Sequence, residues 1–332
     1  MFASLRKSRP EIPLGLALGG GGARGLAHIG VLKVLEANGI RPNMIVGTSM
    51  GAIIGGLYAH LQDAKLLETL VRSRLQSPVL KKLGLGSFEK GPVKRDAARR
   101  SLSKTQEQLT RIFLLASVLT KDHIIAEKKV KELLAHMLPD QQIDDLPIRF
   151  GAVATDLAAG TSRLFDHGHL PTAVRASAAI PGIFPPVVQN GRQLVDGCVV
   201  SLVPVMETRS LGASWVIAVD VTQPLIENKI FQTGVEIWLR ADKITSMALN
   251  QYHLQQADAL IRVENLYQEW SAFQAIDELV RAGEKAAADA LPSIHKALAR
   301  VSTQARGQRP WWRRWFAPGA GRSGDKTPPR TA

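Results

Sequence analysis

Gly47-Thr48-Ser49-Met50-Gly51 sets a serine between two glycines, after a short apolar run and before a small-residue segment. In a strand–turn–helix setting this G-x-S-x-G spacing makes a nucleophile elbow. The glycines let the backbone turn sharply, and the serine Oγ stands above the sheet at the start of a helix. A second group, "GGGGARG", runs from Gly19 to Gly25. Gly20, Gly22 and Gly25 match the G-x-G-x-x-G spacing of a dinucleotide loop. The match fails at the end of the second strand, where Gly47, Thr48 and Ser49 stand in place of a ribose-binding acid. What remains is a loop whose backbone N–H groups converge at a helix N-terminus, a setting that favours an anion.

An elbow serine needs a base. The chain has eight histidines. Only His253 and His295 lie late enough for the Ser–acid–His order of an α/β-hydrolase, and both fall inside amphipathic helical patterns. Only one strand precedes the elbow strand, whereas that fold places several there. Asp196, in "GRQLVDGCVV", ends a short strand ahead of Gly197. An aspartate before glycine is ordinarily a turn residue. Here it is also a carboxylate in a chain with an elbow serine, a donor-rich loop and no well-placed histidine. No metal-ligand spacing occurs.

Apolar runs and helical periods outline the scaffold. "LGLALGG" reads as a first strand, and Leu26, Ile29, Val31, Leu32 and Leu35 as the buried face of a helix ended by Asn38-Gly39. "MIVGTS" is a second strand. "IRFGAVATDL" and "TSRLFD" form a hairpin about Ala-Ala-Gly. "SWVIAVDV" and "ADALIRVE" read as buried strands flanking the helical "VEIWLRADKITSMALNQYHLQQ", and a long amphipathic helix follows Ser271. Strands alternating with helices imply an α/β protein with a mostly parallel sheet covered on both faces. The segment "RKSRPEIPLGLALGGGGA" has a signal-peptide flavour, but Pro13 and the glycine loop interrupt it, and it reads as the first strand.

The formal charge of +13 on 332 residues is concentrated in two places. Lys81 to Glu132 holds 13 basic and 6 acidic residues, and Val301 to Ala332 holds 7 basic and one acidic. Such surfaces suit anionic headgroups. Neither carries the signature of a nucleic-acid module, so no nucleic-acid partner is expected. Residues 81–138 read as a basic helical insertion or lid on a domain spanning 1–300. Residues 301–332, with "RPWWRRWF", read as a disordered tail able to dock on an anionic membrane. One cysteine, Cys198, fits a reducing, cytoplasmic setting, with peripheral attachment to the inner face of the membrane as an option.

Taken together, "GLALGGGGARGLAHIGVLKVLE", "IVGTSMGAIIGGLYA", "LPIRFGAVATDLAAG", "AVRASAAIPGIFPPV" and "LVDGC" resemble the patatin-like phospholipase family, in particular its bacterial single-domain members. The likeness runs from Leu14 to Leu298 and is weakest across Lys81–Leu138. It implies a three-layer α/β/α fold and a Ser–Asp dyad without histidine, with Ser49 as nucleophile and Asp196 as base. It further implies oxyanion donors on Gly20, Gly21 and Gly22, and a basic loop position at Arg24. Arg24, Met50, Arg175 and Pro181 are the candidate substrate-binding residues. The implied reaction is lipid ester hydrolysis of the phospholipase A or lysophospholipase type, with no cofactor. The alternative is a non-catalytic, membrane-associated regulatory protein on the same fold. Two residues depart from the family pattern: Cys198 stands where Gly or Ala is usual, and Ser201 where Asn is common.

Overall fold

The computed structural model describes residues 12–77, 123–225, 230–264, 266 and 271–307, the last seven by backbone alone. Residues 308–332 of the proposed tail and most of the basic insertion lie outside these residues, whereas residues 301–307, expected in a disordered tail, continue the last helix. Strand β1 (Leu14–Leu18) leads through a 3-10 turn (Gly22–Leu26) into helix α1 (Ala27–Ala37). Strand β2 (Met44–Thr48) leads into α2 (Met50–Leu61), and α3 (Ala64–Gln76) follows. Next come α4 (Glu127–Met137), the hairpin β3 (Arg149–Asp156) and β4 (Thr161–Phe165), and α5 (Leu170–Ser177). Strands β5 (Val187–Gln189) and β6 (Arg192–Asp196), helix α6 (Val205–Ser210) and β7 (Trp215–Asp220) follow. Helix α7 (Gly234–Leu254), β8 (Ala259–Arg262) and α8 (Ile276–Gly307) complete the set.

The eight strands form one sheet in the order β5-β6-β3-β2-β1-β7-β8, with β4 also on β3. The centre is parallel: β1 pairs β2 and β7, β2 pairs β3, and β7 pairs β8. The β3–β4, β3–β6 and β5–β6 pairs are antiparallel.

Side-chain alternation explains the layers. Leu16, Leu18, Ile45, Ile217 and Val219 project into a large core shared with α1, α2 and α8. Ala17, Val46, Val216 and Ala218 project to the other face, where Val205, Leu211 and Leu254 cover them. Both faces of the central strands are dry, so these strands read as continuous apolar runs rather than alternating ones. Strand β8 departs from its expected burial: Leu260 is partly exposed and only Ile261 is fully buried. It is the outer strand of the sheet, with no strand on one edge among the described residues.

Helix α4, at the C-terminal end of the expected insertion, buries Val130, Leu134 and Met137, a spacing of four and three that makes one face. This part of the segment packs into the domain rather than standing apart from it. Among the described residues no helix is long and apolar enough to cross a membrane.

Candidate active site

Strand β3 brings the two candidate residues together. Val153 pairs with both Thr48 of β2 and Leu164 of β4, and Ala154 pairs with both Arg163 of β4 and Asp196 of β6. Because β4 occupies one edge of β3 from Ala152 to Asp156, where the ends of β2 and β6 also pair, β2 and β6 must share the other edge, end to end. Strand β2 stops at Thr48 where the chain turns into α2, and Asp196 fills the next position along the edge. The elbow and the aspartate are therefore neighbours although 147 residues separate them in the chain.

The elbow itself is strained. Ser49 has φ 55° and ψ −119°, left-handed backbone that a non-glycine residue adopts only when its surroundings impose it. Its neighbours explain how this is possible. A Cβ on Gly47 would lie 2.4 Å from the backbone of Gly51 and Ala52, and one on Gly51 would lie 2.1 Å from the Leu18 carbonyl oxygen. Only glycines let the first turn of α2 press against β1 and β2. The strained residue is also tied down. Its N–H donates to the Ser177 hydroxyl at 2.9 Å, and its carbonyl accepts from Ala52 and Ile53. The Thr48 hydroxyl donates to the Ser201 carbonyl at 2.9 Å.

Ser49 and Asp196 are both buried. The Asp196 carboxylate accepts a hydrogen bond from the Cys198 N–H at 2.8 Å, and the Ser49 hydroxyl and the Cys198 thiol also act on it. Its backbone is fixed by its own N–H to Ala179 O and by the Thr155 hydroxyl to its carbonyl. Burial pushes its pKa above the ordinary carboxylate range, and the hydrogen bonds from Ser49 and Cys198 draw it part of the way back. A carboxylate so placed is a stronger base than one in water. Burial, with the Asp196 charge next, pushes the Cys198 thiol well up, so it remains protonated and a donor. His253 on α7 and His295 on α8 are not among the groups acting on Asp196.

The glycine loop meets the elbow from the other side. A Cβ on Gly20 would lie 2.1 Å from Cys198 Sγ and 3.2 Å from Ser49 Cβ, so the loop passes directly against the serine. The family resemblance implies oxyanion donors on Gly20, Gly21 and Gly22. The Gly20 N–H donates to Leu202 O at 2.9 Å, a bond that anchors the loop but removes that donor. Gly21 and Gly22 are left for the role. His28 supports the loop from below. It is fully buried, and its Nε2 lies 2.7 Å from the Gly19 carbonyl, which can only accept, so the proton is on Nε2. Burial lowers its pKa to about 4, and it stays neutral near neutral pH.

The remaining candidates separate. Arg24 acts electrostatically on Cys198, two residues after Asp196, and on Lys243 of α7. Met50 is half-buried and packs on the 3-10 turn, its Cγ occupying the space a side chain at Gly25 would need. Arg175 is engaged by Glu127 of α4 at 2.8 Å. Pro181 is exposed in the turn after α5. Among the described residues no group of three His, Cys, Asp or Glu side chains could hold a metal ion. Sequence reasoning missed Ser177, the hydroxyl that holds the elbow N–H. It lies inside the "ASAAIPGIFPPV" stretch already singled out, but nothing local marks its partner.

The family model described as patatin-like phospholipase matches residues 16–209, more than half of the chain, and the chain belongs to that family. An uncharacterized NTE family protein of Mycobacterium bovis is 34% identical over 219 residues, covering 66% of this chain and 52% of that protein. Lysophospholipase NTE1 of Candida glabrata is 32% identical over 208 residues, 63% of this chain and 10% of that protein. Patatin-like phospholipase domain-containing protein 6 of Mus musculus is 32% identical over 222 residues, 66% of this chain and 14% of that protein. The chain thus matches about half the length of the mycobacterial relative and far less of the other two. Among solved structures, VipD of Legionella pneumophila aligns with 85% of this chain and 67% of its own, at 14% identity and a TM-score of 0.41.

Proposed function

We propose that this protein is a serine hydrolase of lipid esters, of the phospholipase A or lysophospholipase type, working through a Ser49–Asp196 dyad. The observation that carries the reading is the meeting of a serine at a strained elbow with a buried aspartate, at adjacent positions along the edge of β3. Ser49 Oγ attacks the ester carbonyl carbon while its proton passes to Asp196, coupled to bond formation because a carboxylate is a weak base for an alcohol. The negative charge moves to the carbonyl oxygen, where the N–H groups of Gly21 and Gly22 and the N-terminal end of α2 stabilise it. One such donor is typically worth about 3 kcal/mol. Collapse expels the alcohol, which takes the proton from Asp196 and leaves an acyl-serine. Water then loses its proton to Asp196 and attacks the acyl carbon, and Ser49 recovers its proton as the fatty acid departs.

Family membership and the lysophospholipase named among the relatives support a lipid ester as substrate. Arg24 stands where it can meet an anionic part of such a substrate. The basic Lys81–Glu132 stretch and the Trp/Arg tail are proposed to hold the protein on an anionic membrane surface. The test is hydrolysis of a short-chain chromogenic ester by wild type and Ser49→Ala. Turnover by wild type, lost in the variant, supports the reading. Absence of turnover in wild type, or its persistence in Ser49→Ala, refutes it in favour of a non-catalytic role or another nucleophile.

A further inference from the structure

Helix α7 is built unlike the other long helices. Over 21 residues it buries only Asn250 and Leu254. Trp238 is 69% exposed, and Ile237, Leu239, Ile244, Leu249 and Tyr252 are also exposed, with Ile230 just upstream at 86%. Single exposed apolar residues are ordinary, but a contiguous set along one helix marks an interaction surface. The inner face has a different character. Lys243 precedes Asn250 by seven residues and Leu254 by eleven, so it lies on the buried side of the helix. It is half-buried, and the charges acting on it are the guanidiniums of Arg24 and Arg240. Arg24 belongs to the turn that follows the glycine loop and also acts on Cys198. Lys243 and Arg240 of α7 and Arg24 of the turn after the glycine loop thus act on one another, while the apolar side chains of α7 are exposed.

From this juxtaposition we infer that α7 is a further element, beside the basic stretch and the tail, that docks the enzyme on a phospholipid bilayer. Its outer apolar face enters the boundary between headgroups and acyl chains, and Arg240, Lys243 and Arg24 meet lipid phosphate at the entrance to the site. The chemistry selects this occupant. A tryptophan and aliphatic side chains next to cations match a layer that is apolar below and anionic above. A protein partner would have to bring carboxylates to cations that already lie close together. The inference rests on the lipid-ester reading, since only a substrate held in a bilayer requires the site mouth to meet one.

The test uses the full chain in a Ser49→Ala background, so that binding is measured without turnover. Partition onto phosphatidylcholine vesicles with and without phosphatidylglycerol is measured for the parent, for Trp238→Ser with Ile244→Ser, and for Lys243→Gln. The paired apolar substitutions are expected to weaken partition onto both kinds of vesicle by at least about tenfold. Lys243→Gln is expected to weaken it by about fivefold on the anionic vesicles only. Thermal unfolding and light-scattering mass are followed for each variant. Unchanged partition with unchanged unfolding overturns the inference, as does failure of the parent to bind vesicles. A parent that is a dimer and becomes a monomer on losing Trp238 and Ile244 overturns it in favour of a second copy of this chain. Soluble-ester hydrolysis by wild type separates the two readings: its absence sinks the catalytic one and leaves the partition result to stand or fall alone.

Discussion

Two helices border the candidate site and obey opposite rules. Helix α2 carries Ser49 at its head and buries every residue from Gly51 to Ala59. Helix α7 carries Lys243, on which Arg24 of the turn after the glycine loop acts, and buries two residues of 21. Helix α2 is short and rich in glycine and alanine, so strands can approach it closely enough to fix a strained serine. Helix α7 keeps large apolar side chains and withholds them from the core. The difference teaches that reactivity and access are assigned to separate elements. One is held by packing on all sides; the other keeps its large apolar side chains exposed.

The largest effect should come from the rigid side. Asp196→Asn keeps the acceptor for the Cys198 N–H and the shape of the side chain but removes the base. Ester turnover is expected to fall about a thousandfold or more while the thermal transition is retained. A variant within tenfold of wild type would mean that the proton goes elsewhere, and His253 would be the next residue to test.

Next comes packing itself. Leu57→Ala in α2 removes a fully buried side chain and should cost about 3 kcal/mol in denaturant unfolding. Leu239→Ala in α7, at an exposed position, should stay within about 0.5 kcal/mol. Equal costs would erase the distinction between the two helices and imply that α7 is covered in solution.

His28 sharpens the comparison through pH. Its pKa is about 4 in the folded protein against 6.5 as the ordinary value, so between these the unfolded chain binds the extra proton. The stability tied to its neutral form is complete above pH 6.5 and is lost as pH falls towards 4, amounting to roughly 3 kcal/mol. His28→Leu should flatten the stability profile across that window, measured by denaturant unfolding at several pH values. A slope unchanged from wild type would place the titration in other groups.

The smallest effect concerns Asp196. Catalysis needs its ionised form, so kcat/KM should fall on the acid side with a midpoint above that of an ordinary aspartate. The Cys198 thiol stabilises the carboxylate, so Cys198→Ala should move that midpoint slightly higher still. A shift downward would show that the thiol does not donate to Asp196.

Much of this arrangement was legible in the sequence. The elbow, the glycine loop and the apolar runs of β1, β2, β3 and β7 are local patterns, set by the period of a strand and the demands of a turn. Asp196 was legible only as a candidate, because its meeting with Ser49 depends on β2 and β6 sharing one edge of β3. Ser177 to the elbow N–H and Leu202 to Gly20 are contacts across long stretches of chain with no periodic trace. Gly20 shows the cost of that blindness: its type and position suit a donor to substrate, yet a distant carbonyl claims its N–H. In α7 the apolar spacing reads as helix, but which face turns inward is decided by Asn250, Leu254 and the neighbouring Arg24, not by composition.

The most direct measurement is covalent. Wild type and Asp196→Asn are incubated with a long-chain fluorophosphonate, which labels a serine only when its hydroxyl is activated, and the adduct is located by peptide mass mapping. The account requires one adduct, on Ser49, formed rapidly by wild type and slowly by Asp196→Asn. Labelling at another residue, or equal rates in the two proteins, would contradict it.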